Sequence, residues 1–290
     1  MLSGKTGLAF RFVIHKRLLP SSVDAYNWGW ENWKHVNTLG IYSEYYEGKL
    51  NNPAFVLYQD AAIEKIRTSI DNGFGVIAWG MSSSQFGVIY GYDDRDQVFY
   101  FKNPGDVEDN IMLYKNFGII TEGSWYYQIF GKKIDKDIRD IYRDSLLIAV
   151  QEWENQYKLD SSYGSGRMAY EYLISALENQ DLNEAGAYYI LPLYSMSKCE
   201  IYEYLSEVIK ELPEISGAAN KYLKLKEIYQ NILKLPLSMM FDKDKKYIPQ
   251  LVEYFKQARE TEKAGINELK LFLKETLNNV HINPERLKDL

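Results

Sequence analysis

Nucleophilic catalysis at neutral pH needs a thiol or hydroxyl, an imidazole to take its proton, and a third group to hold that imidazole in one tautomer. The chain carries one cysteine, Cys199, and three histidines, His15, His35 and His281. Cys199 sits in "SMSKCEIYEYL", a helical pattern with no histidine near it in sequence. A reactive thiolate needs a cationic neighbour, so the expectation for Cys199 is a small buried hydrophobe. The histidines are scattered, and no two share a metal-ligand spacing. One cysteine also excludes a cysteine-based zinc site and any intrachain disulfide, and the reading assigns no metal and no cofactor. Ser82-Ser83-Ser84 offers hydroxyls, but without a base a serine is inert, and a polar connection between strands is expected. "DDRD" (Asp93–Asp96) lacks the glycine and terminal glutamate of a calcium loop and reads as a solvated turn. "GSGR" (Gly164–Arg167) precedes a helix and has exposed N–H groups to offer an anion, but it lacks the Lys-Ser/Thr of a phosphate loop. It reads first as a helix start. Arg11 lies within the apolar run "LAFRFVI", where an unpaired guanidinium is costly. It is expected to meet a carboxylate, of the protein or of a ligand.

The whole chain bounds these options. It has 290 residues, enough for one large domain or two modest ones. Hydrophobic residues make up 46% and charged residues 26%, as in ordinary globular proteins. The net charge is −6 and no Lys/Arg-rich tract stands out, which argues against a nucleic-acid partner. No apolar run reaches the roughly 18 residues of a membrane span, and the N-terminus has no signal-peptide core. Together with the single cysteine this points to a cytoplasmic protein without a membrane partner. Tyrosine is unusually frequent, with 25 residues. Its ring packs apolar surface while its hydroxyl seeks a partner.

Two patterns divide the chain near residue 135. Up to there it is punctuated by glycine and reads as strands and two helices. "GLAFRFVIH" (Gly7–His15) is a β-favouring run. "VDAYNWGWENWKHVNTLG" reads as a helix from an N-cap at Asp24 to Gly40, and "NPAFVLYQDAAIEKIRTSIDNG" as a second, with Ala62, Ile63, Ile66 and Ile70 on one face and Asn72-Gly73 at its end. "FGVIAWG" (Phe74–Gly80), "FGVIYGYD" (Phe86–Asp93) and "QVFYFKNP" (Gln97–Pro104) read as strands, the last two paired as an antiparallel hairpin across "DDRD". "GSWYYQIFG" adds one more strand. After Lys136 the apolar periodicity is helical throughout. Asp160, Asp181 and Ser216 stand near helix starts, Pro213 and Pro236 at breaks, and Pro192 inside a helix that it is expected to kink or restart. The expectation is an α+β domain over 1–135, with helices on an antiparallel sheet, followed by an all-α helical bundle domain over 136–290.

The run "SSSQFGVIYGYDDRDQVFYFKNP" (Ser82–Pro104) with "SGKTGLAFRF" and "SIDNGFGVIAWG" resembles a known group. It is similar to the papain-like peptidases that process bacteriocin leaders, and more closely to the butirosin biosynthesis protein H-type N-terminal domain, a papain-like fold that transfers acyl groups from carrier proteins. "GSGRMAYEYLISAL" resembles a helix of the region that often follows it. In the peptidases the second strand opens with Gly-His-Phe and the third ends with Asp-Pro. The matching residues here are Ser84-Gln85-Phe86 and Asn103-Pro104.

The resemblance therefore implies degenerate catalytic positions at Gln85 and Asn103, and a nucleophile helix that either lies upstream of Met1 or has been lost. An amide is no general base. Asn103 is a group suited to orient an imidazole, with no imidazole at position 85 to orient. The expectation is a pseudoenzyme: an inactive relative of cysteine peptidases and acyltransferases that binds a peptide or a carrier-linked acyl group in natural-product or peptide metabolism. Arg11, Trp79 and Tyr90 are its ligand-binding residues. The alternatives are an active cysteine acyltransferase or hydrolase completed upstream, with a base from elsewhere such as His15, and a helical interaction scaffold. The long last helix leaves a homodimer open.

Overall fold

The computed structural model describes residues 2–82, 85–119, 123–236 and 246–274. The fold is α+β. Among the described residues there are nine strands, every paired strand antiparallel, and eight α-helices. The chain forms two compact units, Trp28–Asp135 and a second made of Met1–Asn27 with Lys136–Leu290.

In the unit Trp28–Asp135, a helix α2 (Trp28–Asn37) is followed by β2 (Ile41–Lys49), α3 (Phe55–Asp71), β3 (Val76–Trp79), β4 (Phe86–Asp93), β5 (Val98–Lys102), β6 (Asn110–Leu113) and β7 (Ser124–Lys133). The six strands form one sheet in the order β2-β7-β3-β4-β5-β6. The period of α3 places Ala62 and Ile66 against Val76, Ala78, Ile89, Phe99, Phe101 and Tyr127, with Ile63 and Ile70 packed alongside. That is the core of this unit and the reason one sheet face is closed. Gly73 takes φ +84° just after the helix, as a C′ residue must. The four strands expected here are present as β3, β4, β5 and β7, with β4 and β5 paired as the hairpin. β2 and β6 were not expected: their alternation mixes Glu, Lys, Asn and Gly with few β-branched residues, so periodicity alone does not mark them.

The second unit contains α1 (Leu2–Lys5), β1 (Val13–His15), α4 (Ile138–Glu154), β8 (Tyr157–Lys158), β9 (Asp160–Ser165), α5 (Arg167–Asn179), α6 (Glu184–Glu211), α7 (Ser216–Leu233) and α8 (Ile248–Phe272). Several expectations change here. Residues 1–27, expected with the sheet domain, belong to the helical unit because Phe10, Phe12, Ile14 and Leu18 are buried in its core. Within Gly7–His15 only Val13–His15 is a strand; Gly7 takes φ +79° and Leu8–Phe10 form a 3-10 turn. β1 pairs with β9 (Val13↔Ser165), in a separate three-stranded sheet β1-β9-β8. The stretch after Lys136 is thus not wholly helical, and Asp160 opens a strand, its carboxylate accepting from the Ser162 N–H at 2.6 Å. Asp24 caps no helix: α2 begins only at Trp28. α6 is capped by Asn183, whose side chain accepts from Gly186 N, and it runs through Pro192 without restarting.

One polar cluster lies inside this core. Lys198 on α6 and Glu262 on α8 are 2% and 3% exposed and pair at 2.6 and 2.8 Å. Tyr170 on α5 donates to Glu262 at 2.7 Å and shares a hydrogen bond with Tyr229 on α7. Four helices are thus tied at one point. Burial pulls the Lys198 ammonium below its usual range, and Glu262 opposes that shift. No sequence pattern announced the pair, because Lys198 and Glu262 are 64 residues apart.

Candidate functional site

The hairpin β4–β5 and its neighbour β3 carry four of the five residues singled out from sequence. Pairing of Trp79 with Phe86 and of Val88 with Lys102 fixes the register. Gly87 and Ile89 turn inward to the core, so Phe86 and Val88 point to the opposite face. A bulge between Ile89 and Gly91 leaves Tyr90 unpaired on the strand. Tyr90 is 42% exposed and Val88 45%. The Tyr90 hydroxyl is held above its usual range by burial and by its bond to Asp109. Asp109 is correspondingly low, through Tyr90 first and then Lys102, with which it forms an ion pair at 3.1 Å. β6 extends the same face with Ile111 and Leu113, so the β4–β6 end of the sheet presents an open apolar strip.

Trp79 stands at the closed end of that face. Its ring lies 4.5 Å from Trp28 and 4.9 Å from Phe86, and Tyr126 completes the cluster. Tyr126 donates to Gln128, whose amide donates to Ser43. Trp79 thus packs against neighbouring rings, with Trp28 on α2 as a partner that helical spacing gave no reason to single out.

Asn103 directly follows β5 and is 4% exposed. The segment Asn103-Pro104-Gly105-Asp106 turns sharply: Gly105 takes φ +87° after Pro104, as a type II turn requires, and Asp106 N–H donates to Asn103 O at 3.2 Å. This turn brings the Asp106 carboxylate back onto Asn103. One oxygen, Oδ2, accepts from Asn103 N (2.9 Å), Asn103 Nδ2 (3.0 Å) and Asn110 Nδ2 (2.7 Å). Nδ2 also donates to Ser82 Oγ at 2.6 Å. Both amide hydrogens of Asn103 are therefore used. Its Oδ1 is buried without a hydrogen-bond partner and lies against Gly87, where an added Cβ would come within 2.9 Å. Asp106 was not singled out from sequence, although the "NPGD" turn signal was there to be read. Gln85 is half-buried, and its carbonyl accepts from Gly80 N at 3.0 Å.

Arg11 belongs to the other unit. Its guanidinium lies 3.5 Å above the Tyr26 ring. The Asp24 carboxyl is raised by burial and drawn back by Arg11, so the expected carboxylate is present beside the ring contact. Cys199 is half-buried; burial pushes its thiol up, and Sγ donates to the Lys226 carbonyl at 3.9 Å. His15 is in the same unit as Cys199. Its Nδ1 accepts from Arg17 N, its ring packs on Tyr163, and burial lowers its pKa, with Lys16 adding to the shift. His35 is buried on α2, and His281, Ser83 and Ser84 lie outside the described residues. In "DDRD" the Asp93 carboxylate accepts from Arg95 N and Asp96 N, and Asp94 holds Arg67 and Tyr114. Among the described residues no group of three or more His, Cys, Asp or Glu could hold a metal ion. In "GSGR", Gly166 N donates to Phe12 O and its Cα packs on Glu152 and Trp153, so the glycine serves close packing. No helix is long and apolar enough to cross a membrane among the described residues.

No protein-family model and no curated protein matches the chain. Chemically, the hairpin end offers an amide at 85, an amide at 103 whose donors are spent, one buried acceptor, and an adjoining apolar strip. Neither amide is a base at any working pH.

Proposed function

We propose that the unit Trp28–Asp135 is a catalytically degenerate papain-like domain of the butirosin H type, which binds a peptide or a carrier-linked acyl group along the open face of β4–β6. The observation that carries this reading is the Asn103 amide locked onto Asp106 and Ser82. In a working site the group at 103 orients an imidazole at 85; here position 85 is Gln, and the 103 side chain serves the local turn. The apolar strip of Val88, Tyr90, Ile111 and Leu113, flanked by the Lys102–Asp109 pair, supplies a surface for an extended or acyl ligand.

The test is a titration with a fluorescent acyl-pantetheine thioester, read by anisotropy. The reading expects saturable binding that Val88→Asp and Tyr90→Ala each weaken about tenfold. Binding indifferent to both sheet-face substitutions overturns the assignment of the face.

A further inference from the structure

The N-terminal half of α6 is apolar on every side. From Ala185 to Ser197 the sequence "AGAYYILPLYSMS" contains no charged residue. One face is accounted for, since Ala187, Ile190, Leu191 and Tyr194 are buried in the helical core. The other face is not. Ala185, Tyr188, Tyr189, Pro192, Leu193 and Met196 recur at helical spacing, and Tyr188, Tyr189, Leu193 and Met196 are 55%, 50%, 40% and 59% exposed. The two tyrosines alone leave roughly 200 Å² open. A helix apolar all round requires cover all round. Pro192 lies in the stripe and has no N–H to give, so the Tyr188 carbonyl one turn back lacks its intrahelical donor on that exposed side.

Charge decides what can cover it. The stripe is bracketed by Glu184 and Glu200, both exposed and neither ion-paired with a described residue. A second copy of α6 laid antiparallel sets Glu184 against Glu200, and laid parallel sets each against itself; both arrangements bring like charges together in a chain already at −6. An anionic lipid surface is opposed in the same way. We infer that the α6 stripe docks an amphipathic helix of a partner protein whose apolar face is flanked by basic residues. Sixteen positions separate the two glutamates, so the partner's cations stand about 24 Å apart along the helix axis.

The probe is a fluorescein-labelled synthetic helix of leucine, alanine and glutamine with two lysines about 16 residues apart, titrated into the full chain. Expected is saturable binding that weakens as salt is raised and that Met196→Asp reduces at least about tenfold without changing the thermal melt. Met196 is 59% exposed, so folding is spared. Glu184→Lys/Glu200→Lys should exchange preference from the lysine peptide to its glutamate counterpart, while Val88→Asp on the sheet face leaves binding unchanged, which separates this surface from the proposed acyl site. No binding, or binding indifferent to the α6 substitutions, overturns the inference. So does a dimer in sedimentation, or adsorption to anionic vesicles, that Met196→Asp abolishes.

Discussion

Replacing Asn103 by aspartate introduces the residue type that the proposed papain-like reading would place at this position, and it should damage this protein. In the native chain Nδ2 gives a hydrogen to Asp106 Oδ2 at 3.0 Å. In Asn103→Asp an oxygen takes that place, and two carboxylates stand about 3 Å apart. Coulomb's law sets the repulsion at roughly 1.5 kcal/mol for a water-like dielectric and about 5.5 kcal/mol for an effective value near 20. Asp106 is exposed, so the true cost lies between these limits, about 2–3 kcal/mol. The pair responds by retaining one proton, which raises the folded-state pKa of one carboxyl by about 2 above its unfolded value near 3.9. A raised folded pKa means that stability is intact at low pH and is lost as pH rises through the shifted pKa. Urea unfolding should therefore find Asn103→Asp close to wild type near pH 4 and weaker by about 2–3 kcal/mol at pH 7. Asp106→Asn added to it supplies a new amide donor and should recover most of the loss. Carbon-detected NMR of the two carboxyls reads the proton directly. Wild-type stability at pH 7, with both carboxyls ionising near their ordinary values, would refute the claim that Asp106 dictates an amide at 103.

Other expectations rest on equally local geometry. Lys198→Met leaves Glu262 buried and unpaired and should cost about 3–5 kcal/mol, whereas Lys198→Met/Glu262→Leu should recover most of it; additive losses in chemical denaturation would contradict the pairing argument. Gly166→Ala places a Cβ within 2.4 Å of the Glu152 carbonyl at φ +52° and should cost roughly 2–4 kcal/mol, against about 1 kcal/mol for Gly73→Ala, where nothing lies within 4 Å. Cys199, its thiol raised by burial, should alkylate slowly at pH 7 and still accelerate above pH 9 or so; a rate that levels off below about pH 8 would expose an activated thiolate.

The elements legible in the sequence were those whose pattern is local. α3 follows from Ala62, Ile63, Ile66 and Ile70, its end from Asn72-Gly73, and the β4–β5 hairpin from two apolar runs around "DDRD". The partnership of elements was not legible. Phe10, Phe12 and Ile14 read as a strand of the first domain, yet their burial is decided by helices that begin more than a hundred residues later. β8 and β9 are short and polar and hide within a helical composition. At the hairpin, positions 85 and 103 came from resemblance alone. What Asn103 does was set by Asp106, three residues on, through a turn whose proline and glycine are plain in the sequence but whose carboxylate has meaning only once the chain is folded.

The account holds that this protein grips an acyl or peptide ligand and performs no transfer. Intact-mass spectrometry of the full chain incubated with an acyl thioester, with released thiol followed in parallel, addresses that directly. The account predicts an unchanged protein mass and no thiol release above the buffer rate while the ligand is bound. A covalent acyl adduct on Cys199 or Ser82 that forms and decays with turnover would contradict it.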